Sequence, residues 1–137
     1  MNRLDELRAR FGEEPFAQAL QAKLEDLDEG LAVVSLLVTK ELVIVERIVN
    51  GGFLATLGNS AGVYAAMSKI PAGHTRALHL DINFEHPAKE GEIIKGVAHV
   101  KNESGNFILV LFEVLNSEQK LLAYGTARYV KPKKCAI

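Results

Sequence analysis

Asn50, Gly51 and Gly52 stand at the head of a long apolar stretch, and Thr56, Asn59 and Ser60 lie a few residues into it. Asparagine is a favoured helix N-cap, and two glycines leave the first-turn amides free of side chains. First-turn amides and the helix dipole together can hold an anion or a polarised carbonyl oxygen. The competing reading of the same three residues is an ordinary cap followed by glycines kept for packing. Thr56, Asn59 and Ser60 fall at i, i+3 and i+4, so they share a helix face and make its one polar patch. A carboxamide and two hydroxyls can orient a water or a carbonyl, but none of them is a base at neutral pH.

These residues need a helix to hold them. Residues 50–70 supply one that is apolar on every side: Phe53, Leu54, Leu57, Val63, Tyr64 and Met67 are large, and Ala55, Gly58, Ala61, Gly62, Ala65 and Ala66 are small. A helix without a polar face is buried, not merely docked. Gly58 and Gly62 lie four apart on one face, and each lowers helix propensity by about 1 kcal/mol relative to alanine, so a neighbour must approach closely there. Upstream, Leu4, Leu7 and Phe11 predict a short amphipathic helix ending at Gly12. A second helix begins near Pro15 and carries Phe16, Leu20 and Leu24 on one face. An acidic run over residues 25–29 ends at Gly30. Residues 31–39 then read as an apolar strand, and residues 40–49 as a continuation of extended chain with a break near Lys40 and Glu41.

Downstream, residues 71–75 turn, and Leu78, Leu80, Ile82 and Phe84 alternate with His79, Asp81, Asn83 and Glu85 as in a half-buried antiparallel strand. Residues 93–101 form the next strand and residues 102–106 a hairpin connection. Residues 107–115 read as a strand buried on both faces, and residues 121–130 as the last. The layout is α+β: a curved antiparallel sheet wrapped around a long central helix, with short N-terminal helices. One domain spans residues 1–137, with a helical lid over 1–29 and a core over 30–131.

Residues 50–64 followed by residues 80–92 (LDINFEHPAKEGE) resemble the hotdog-fold acyl-CoA thioesterases of the phenylacetate-degradation type. In that family a His-Gly-Gly opens the central helix, a Leu-x-Asp follows within it, and a later strand ends in a Pro-Ala-x-x-Gly turn. Those places hold Asn50-Gly51-Gly52, Leu57-Gly58-Asn59 and Pro87-Ala88-Lys89-Glu90-Gly91 here. The resemblance implies a homodimer with sheets joined edge to edge and sites at the subunit boundary; the apolar strand over residues 107–115, in a sheet too small to close on itself, also predicts a dimer, able to pair further into a tetramer. The resemblance also implies that Gly52 polarises a thioester carbonyl, with Asn50 beside it and Asn59 standing where the catalytic carboxylate belongs. Thr56, Ser60 and Val63 would line the acyl path, with Gly51, His79 and Asp81 completing the substrate contacts.

Asn59 changes the expected chemistry, since general-base help is worth about 10²–10⁴ in rate and a carboxamide supplies none. Three further family positions are replaced by Ile44, Arg47 and Ala77. Substitute groups are Glu46 and Arg47 ahead of the helix, and His79, Asp81 and Glu85 after it. The expectation is hydrolysis of an acyl thioester; the alternative is a catalytically degenerate protein that binds acyl-CoA or an acyl carrier. Coenzyme A enters as part of the substrate and no separate cofactor is implied.

Composition narrows the partners. Sixteen basic and 17 acidic side chains nearly cancel, leaving no global field for nucleic acid or a membrane surface. A single cysteine, Cys135, forms no internal disulfide and points to a reducing, cytoplasmic compartment. His74, His79, His86 and His99 lack metal-ligand spacing, so no metal is expected. Arg128, Lys131, Lys133 and Lys134 gather near the C-terminus, where they could meet the phosphates of coenzyme A.

Overall fold

The computed structural model describes residues 2–133; Lys134 and Cys135 lie outside the described residues. Two helices, α1 (Arg3–Glu13) and α2 (Pro15–Leu20), precede strands β1 (Lys23–Asp28) and β2 (Leu31–Leu37). After a 3₁₀ turn at Lys40–Leu42 come the central helix α3 (Gly51–Met67) and strands β3 (Arg76–Phe84), β4 (Ile93–Ser104), β5 (Phe107–Asn116) and β6 (Leu121–Val130). The six strands form one sheet in the order β1-β2-β4-β5-β6-β3, and every neighbouring pair is antiparallel. The helix lies against one face of this sheet, as the α+β layout requires.

Close packing of α3 has identifiable partners. A Cβ on Gly58 would sit 2.5 Å from a ring carbon of Phe112, and one on Gly62 would collide with the Tyr129 hydroxyl. The sheet reciprocates at Gly96, where a Cβ would lie 2.9 Å from the Leu57 carbonyl oxygen. Three missing side chains thus let helix and sheet approach, which offsets the propensity lost at the helical glycines. On another side, α1 meets the C-terminal half of α3. Phe11 meets Tyr64 edge to face with ring centroids 5.2 Å apart, and Arg3 donates from Nε to the Met67 carbonyl at 3.3 Å.

Several sequence readings need correction. Gly12 does not stop the first helix, which runs through it to Glu13, and the second helix ends at Leu20, with Gln21 in the left-handed region at φ 56°. Residues 23–28, read as helix end and acidic run inside a helical lid, are instead edge strand β1. A bulge between Leu24 and Asp26 explains the misreading. By taking up one extra residue it turns Leu24 and Leu27 to the same face, opposite Val34 and Ala32, and so gives a strand the three-residue spacing of a helix.

Residues 40–49 are not an extended continuation. The Ile44 amide donates to Ile48 and the Arg47 amide to Ile44, both at 2.9 Å, with Arg47 at φ +66°. The resulting turn is tied to the body by Val49 N–H donating to the Ala88 carbonyl and Asn50 N–H to that of Leu42, each at 2.8 Å. Strand β5 is buried on one face: Ile108, Val110, Phe112 and Val114 point to α3, whereas Phe107, Leu111 and Glu113 are exposed. A single sheet covers only one of its own faces. On β3, an edge strand, Leu80 and Ile82 are half-buried against the core as expected, whereas Leu78 at 43% and Phe84 at 57% are exposed.

Candidate functional site

The start of α3 is built as its sequence demands. Asn50 is the N-cap in extended conformation, and its side-chain oxygen accepts from the Gly52 amide at 3.0 Å. That amide, the donor expected to meet a carbonyl, is therefore engaged by the cap in this state. Gly52 is exposed, and a Cβ there would have only the Asn50 side-chain oxygen, at 3.5 Å, within van der Waals range. The approach to this end of the helix is open. Gly51 faces the Phe84 ring, 3.1 Å from where its Cβ would be.

Down the helix, Gly52, Thr56, Asn59, Ser60 and Val63 repeat at intervals of four, three, one and three residues, which places them on one stripe. All five are exposed or half-buried, whereas Leu54, Leu57, Gly58 and Ala61 between them are buried. Thr56 spends its hydroxyl hydrogen on the Gly52 carbonyl at 3.0 Å. The structure therefore brings six predicted residues together along the open side of α3: Asn50, Gly52, Thr56, Asn59, Ser60 and Val63. Gly51 lies at its head, turned toward Phe84.

His79 and Asp81 are elsewhere. They alternate with Leu80 and Ile82 on β3 and pair with Arg128 and Thr126 of β6, which in turn alternate with the buried Ala127 and Tyr129. Since Tyr129 points to α3, His79 and Asp81 lie on the opposite face of the sheet. Within one chain they do not meet the stripe. Asp81 accepts from the Thr126 hydroxyl, which holds its carboxyl below the ordinary value, and His79 Nε2 stands 3.6 Å from the Asp81 carboxylate.

The other substitute groups separate as well. Glu46 is exposed in the turn before α3, and Arg47 pairs with Glu90 at 3.2 Å. Glu85 lines a cleft of about 280 Å³ beside the helix start, together with Ile48, Gly51, Leu54, Phe84 and His86. It is the substitute carboxylate that shares a concavity with the head of the helix. Among the basic residues near the C-terminus, Arg128 stacks over Phe107 with its guanidinium carbon 5.8 Å from the ring centroid, and Lys131 pairs with Glu103 at 3.2 Å. Among the described residues no three His, Cys, Asp or Glu side chains are grouped as a metal would need.

One residue of the site escapes the sequence reading. Tyr129, fully buried on β6, places its hydroxyl 2.9 Å from the Asn59 side-chain oxygen and 3.3 Å from the Asn59 carbonyl. Its signal is indirect: Gly62 demands a close neighbour but does not say which.

Comparison with known proteins agrees with this architecture. A model of the thioesterase superfamily matches residues 46–123, which include the end of the turn before α3, the whole helix, strands β3, β4 and β5 and the start of β6. The acyl-coenzyme A thioesterase PaaI of Escherichia coli (strain K12) is 29% identical over 115 residues, covering 84% of this chain and 81% of that protein. The structure of the E. coli PaaI protein superposes with a TM-score of 0.88 at 25% identity, covering 95% of this chain and 93% of that one. The TT0310 protein of Thermus thermophilus gives a TM-score of 0.80 at 28% identity, covering 87% of this chain and 98% of that one. The curved sheet around α3 is the hotdog fold, and the chain belongs to the thioesterase superfamily.

Proposed function

We propose that this chain is an acyl-CoA thioesterase-like protein that binds an acyl thioester along the open stripe of α3 and hydrolyses it at a site completed by a second copy. The observation that carries this reading is the stripe itself, Gly52, Thr56, Asn59, Ser60 and Val63, left exposed or half-buried along a helix whose opposite face is buried. Similarity to the acyl-coenzyme A thioesterase of E. coli supplies the substrate class. A thioester carbonyl would lie between two copies, at the head of α3 of one, where the dipole favours developing negative charge, and beside Asn59 of the other, with the acyl chain running past Ser60 and Val63. With Asn59 unable to take a proton, Glu85 in the neighbouring cleft is the carboxylate best placed to activate water.

The second copy is argued from β3. An edge strand of nine residues with exposed Leu78 and Phe84 is a template for pairing, and a homodimer joined along it would bury both. The uncovered apolar side chains on the outer sheet face, Leu37, Ile93 and Leu111 among them, give a further surface on which dimers could pair into tetramers. A cytoplasmic location belongs to the same reading and is supported by the single cysteine. Coenzyme A would arrive as part of the substrate.

A second reading, an acyl-CoA or acyl-carrier binding protein without turnover, is favoured by one specific feature: the stripe carries no carboxylate. Thiol release from a panel of acyl-CoAs, measured beside thermal stabilisation by the same compounds, separates the two. Turnover with stabilisation supports hydrolysis, stabilisation alone supports binding, and neither would overturn the acyl thioester reading. Light scattering checks the shared site: a dimer or larger assembly is expected at micromolar concentration, and a folded monomer would sink it.

A further inference from the structure

Asn59 has two chemically different ends, and its hydrogen bonds decide which one faces inward. Its side-chain oxygen lies 2.9 Å from the Tyr129 hydroxyl, and among the described residues its side-chain nitrogen has no hydrogen-bond partner. The phenol has one proton to give, and of the two Asn59 oxygens beside it the side-chain one, at 2.9 Å against 3.3 Å for the backbone carbonyl, is the nearer acceptor; burial raises the phenol pKa and keeps it a donor at neutral pH. The hydroxyl reaches this point because Gly62, three residues on from Asn59, lacks the Cβ that would strike it. Glycine and tyrosine thus form a built contact under the stripe.

We infer that Tyr129 is a positioning residue that holds the Asn59 carboxamide oxygen inward and so presents the Asn59 NH₂ group as a hydrogen-bond donor to a ligand. The group it would meet is an acceptor; on the thioester reading above, from which this identification follows, it is the thioester carbonyl oxygen. At the position where a carboxylate would accept a proton, this chain offers one in a hydrogen bond. Asn59 then contributes to carbonyl recognition, and the proton transfer of hydrolysis falls to another group.

Two measurements test this. The first needs no ligand. In Asn59→Asp the Tyr129 hydroxyl should stabilise the new carboxylate, so adding Tyr129→Phe should raise the carboxyl pKa, read by carbon NMR, by about one pH unit. The Tyr129 ring-carbon resonance in Asn59→Asp alone should move with the same titration, which covers the case in which the double variant does not fold. A hydroxyl that does not donate to the side chain of residue 59 would leave both readouts unmoved; that result would overturn the positioning role. The second compares two non-hydrolysable acyl-CoA analogues: a ketone, which keeps the carbonyl, and a thioether, in which the carbonyl is replaced by CH₂. Tyr129→Phe should weaken the ketone several-fold and leave the thioether unchanged, whereas equal weakening of both would overturn the assigned donor. If the wild-type protein bound neither analogue, the thioester reading would fall, and the titration would still decide the role of Tyr129.

Discussion

The two halves of α3 both carry large apolar side chains and differ in their surroundings. From Ala61 to Met67 every residue except the half-buried Val63 is buried. This half is enclosed by β6 through Tyr129 at Gly62 and by α1 through Phe11 at Tyr64. From Gly51 to Ser60 the helix is covered on one side alone, by Phe112 at Gly58 and by Gly96 at Leu57, while Gly52 and Thr56 stand in the open. Apolar surface that the chain does not cover is surface kept for something else. The covered half holds the fold together, and the uncovered half is free to hold a ligand and a second copy.

The sharpest way to break this contrast is to attack the covered half. Phe11→Ala removes a ring that is 4% exposed, and about 3–5 kcal/mol of stability should go with it, read from the midpoint of urea unfolding. A loss under about 1 kcal/mol would mean that the N-terminal helices are not part of the packing around α3. Next in size is Gly62→Ala, whose methyl group strikes the Tyr129 hydroxyl. Overpacking of this kind takes about 1–3 kcal/mol, against a propensity gain of about 1 kcal/mol. Combining it with Tyr129→Phe should restore part of the loss by opening the space the hydroxyl held, and a purely additive double variant would refute that contact.

In the uncovered half the balance should invert. Gly52→Val places a side chain in open space at the helix head, so the unfolding midpoint should move little while binding of acyl-CoA, followed by calorimetry, weakens markedly. Unchanged binding in a folded Gly52→Val protein would put the ligand elsewhere.

Much of this arrangement is legible in the residues alone. The all-round apolar character of α3, its paired glycines, the Asn50 cap and the polar patch of Thr56, Asn59 and Ser60 are local patterns, and local patterns survive in sequence. What stays hidden depends on partners distant in the chain. The bulge in β1 disguises a strand as a helix, because register irregularity is fixed by pairing with β2 and not by β1 alone. Strand β5 reads as buried twice over because its composition does not record that the sheet has no second layer. Residues 40–49 turn because hydrogen bonds from Val49 and Asn50 reach Ala88 and Leu42, ties that composition does not show. His79 and Asp81 qualify for chemistry by type; their alternation with Leu80 and Ile82 separates them from the helix. Tyr129 is seventy residues from Asn59 in sequence, and no spacing rule joins them.

The most direct measurement is acyl-CoA hydrolysis by wild-type protein and by Asn59→Asp, with turnover and substrate affinity resolved. If the stripe of α3 presents a thioester to residue 59, the carboxylate adds a base or nucleophile at almost constant volume, and turnover should rise. The gain should fall short of the full general-base range of about 10²–10⁴, since Asn50, Ile44 and Ala77 leave the supporting positions unfilled. Affinity should fall at the same time, because a donor has been exchanged for an acceptor. A wild-type protein that hydrolyses acyl-CoA well and loses most of that activity as Asn59→Asp would contradict the expected gain. It would show that the carboxamide itself serves the reaction with its base elsewhere, Glu85 first among the positions to replace.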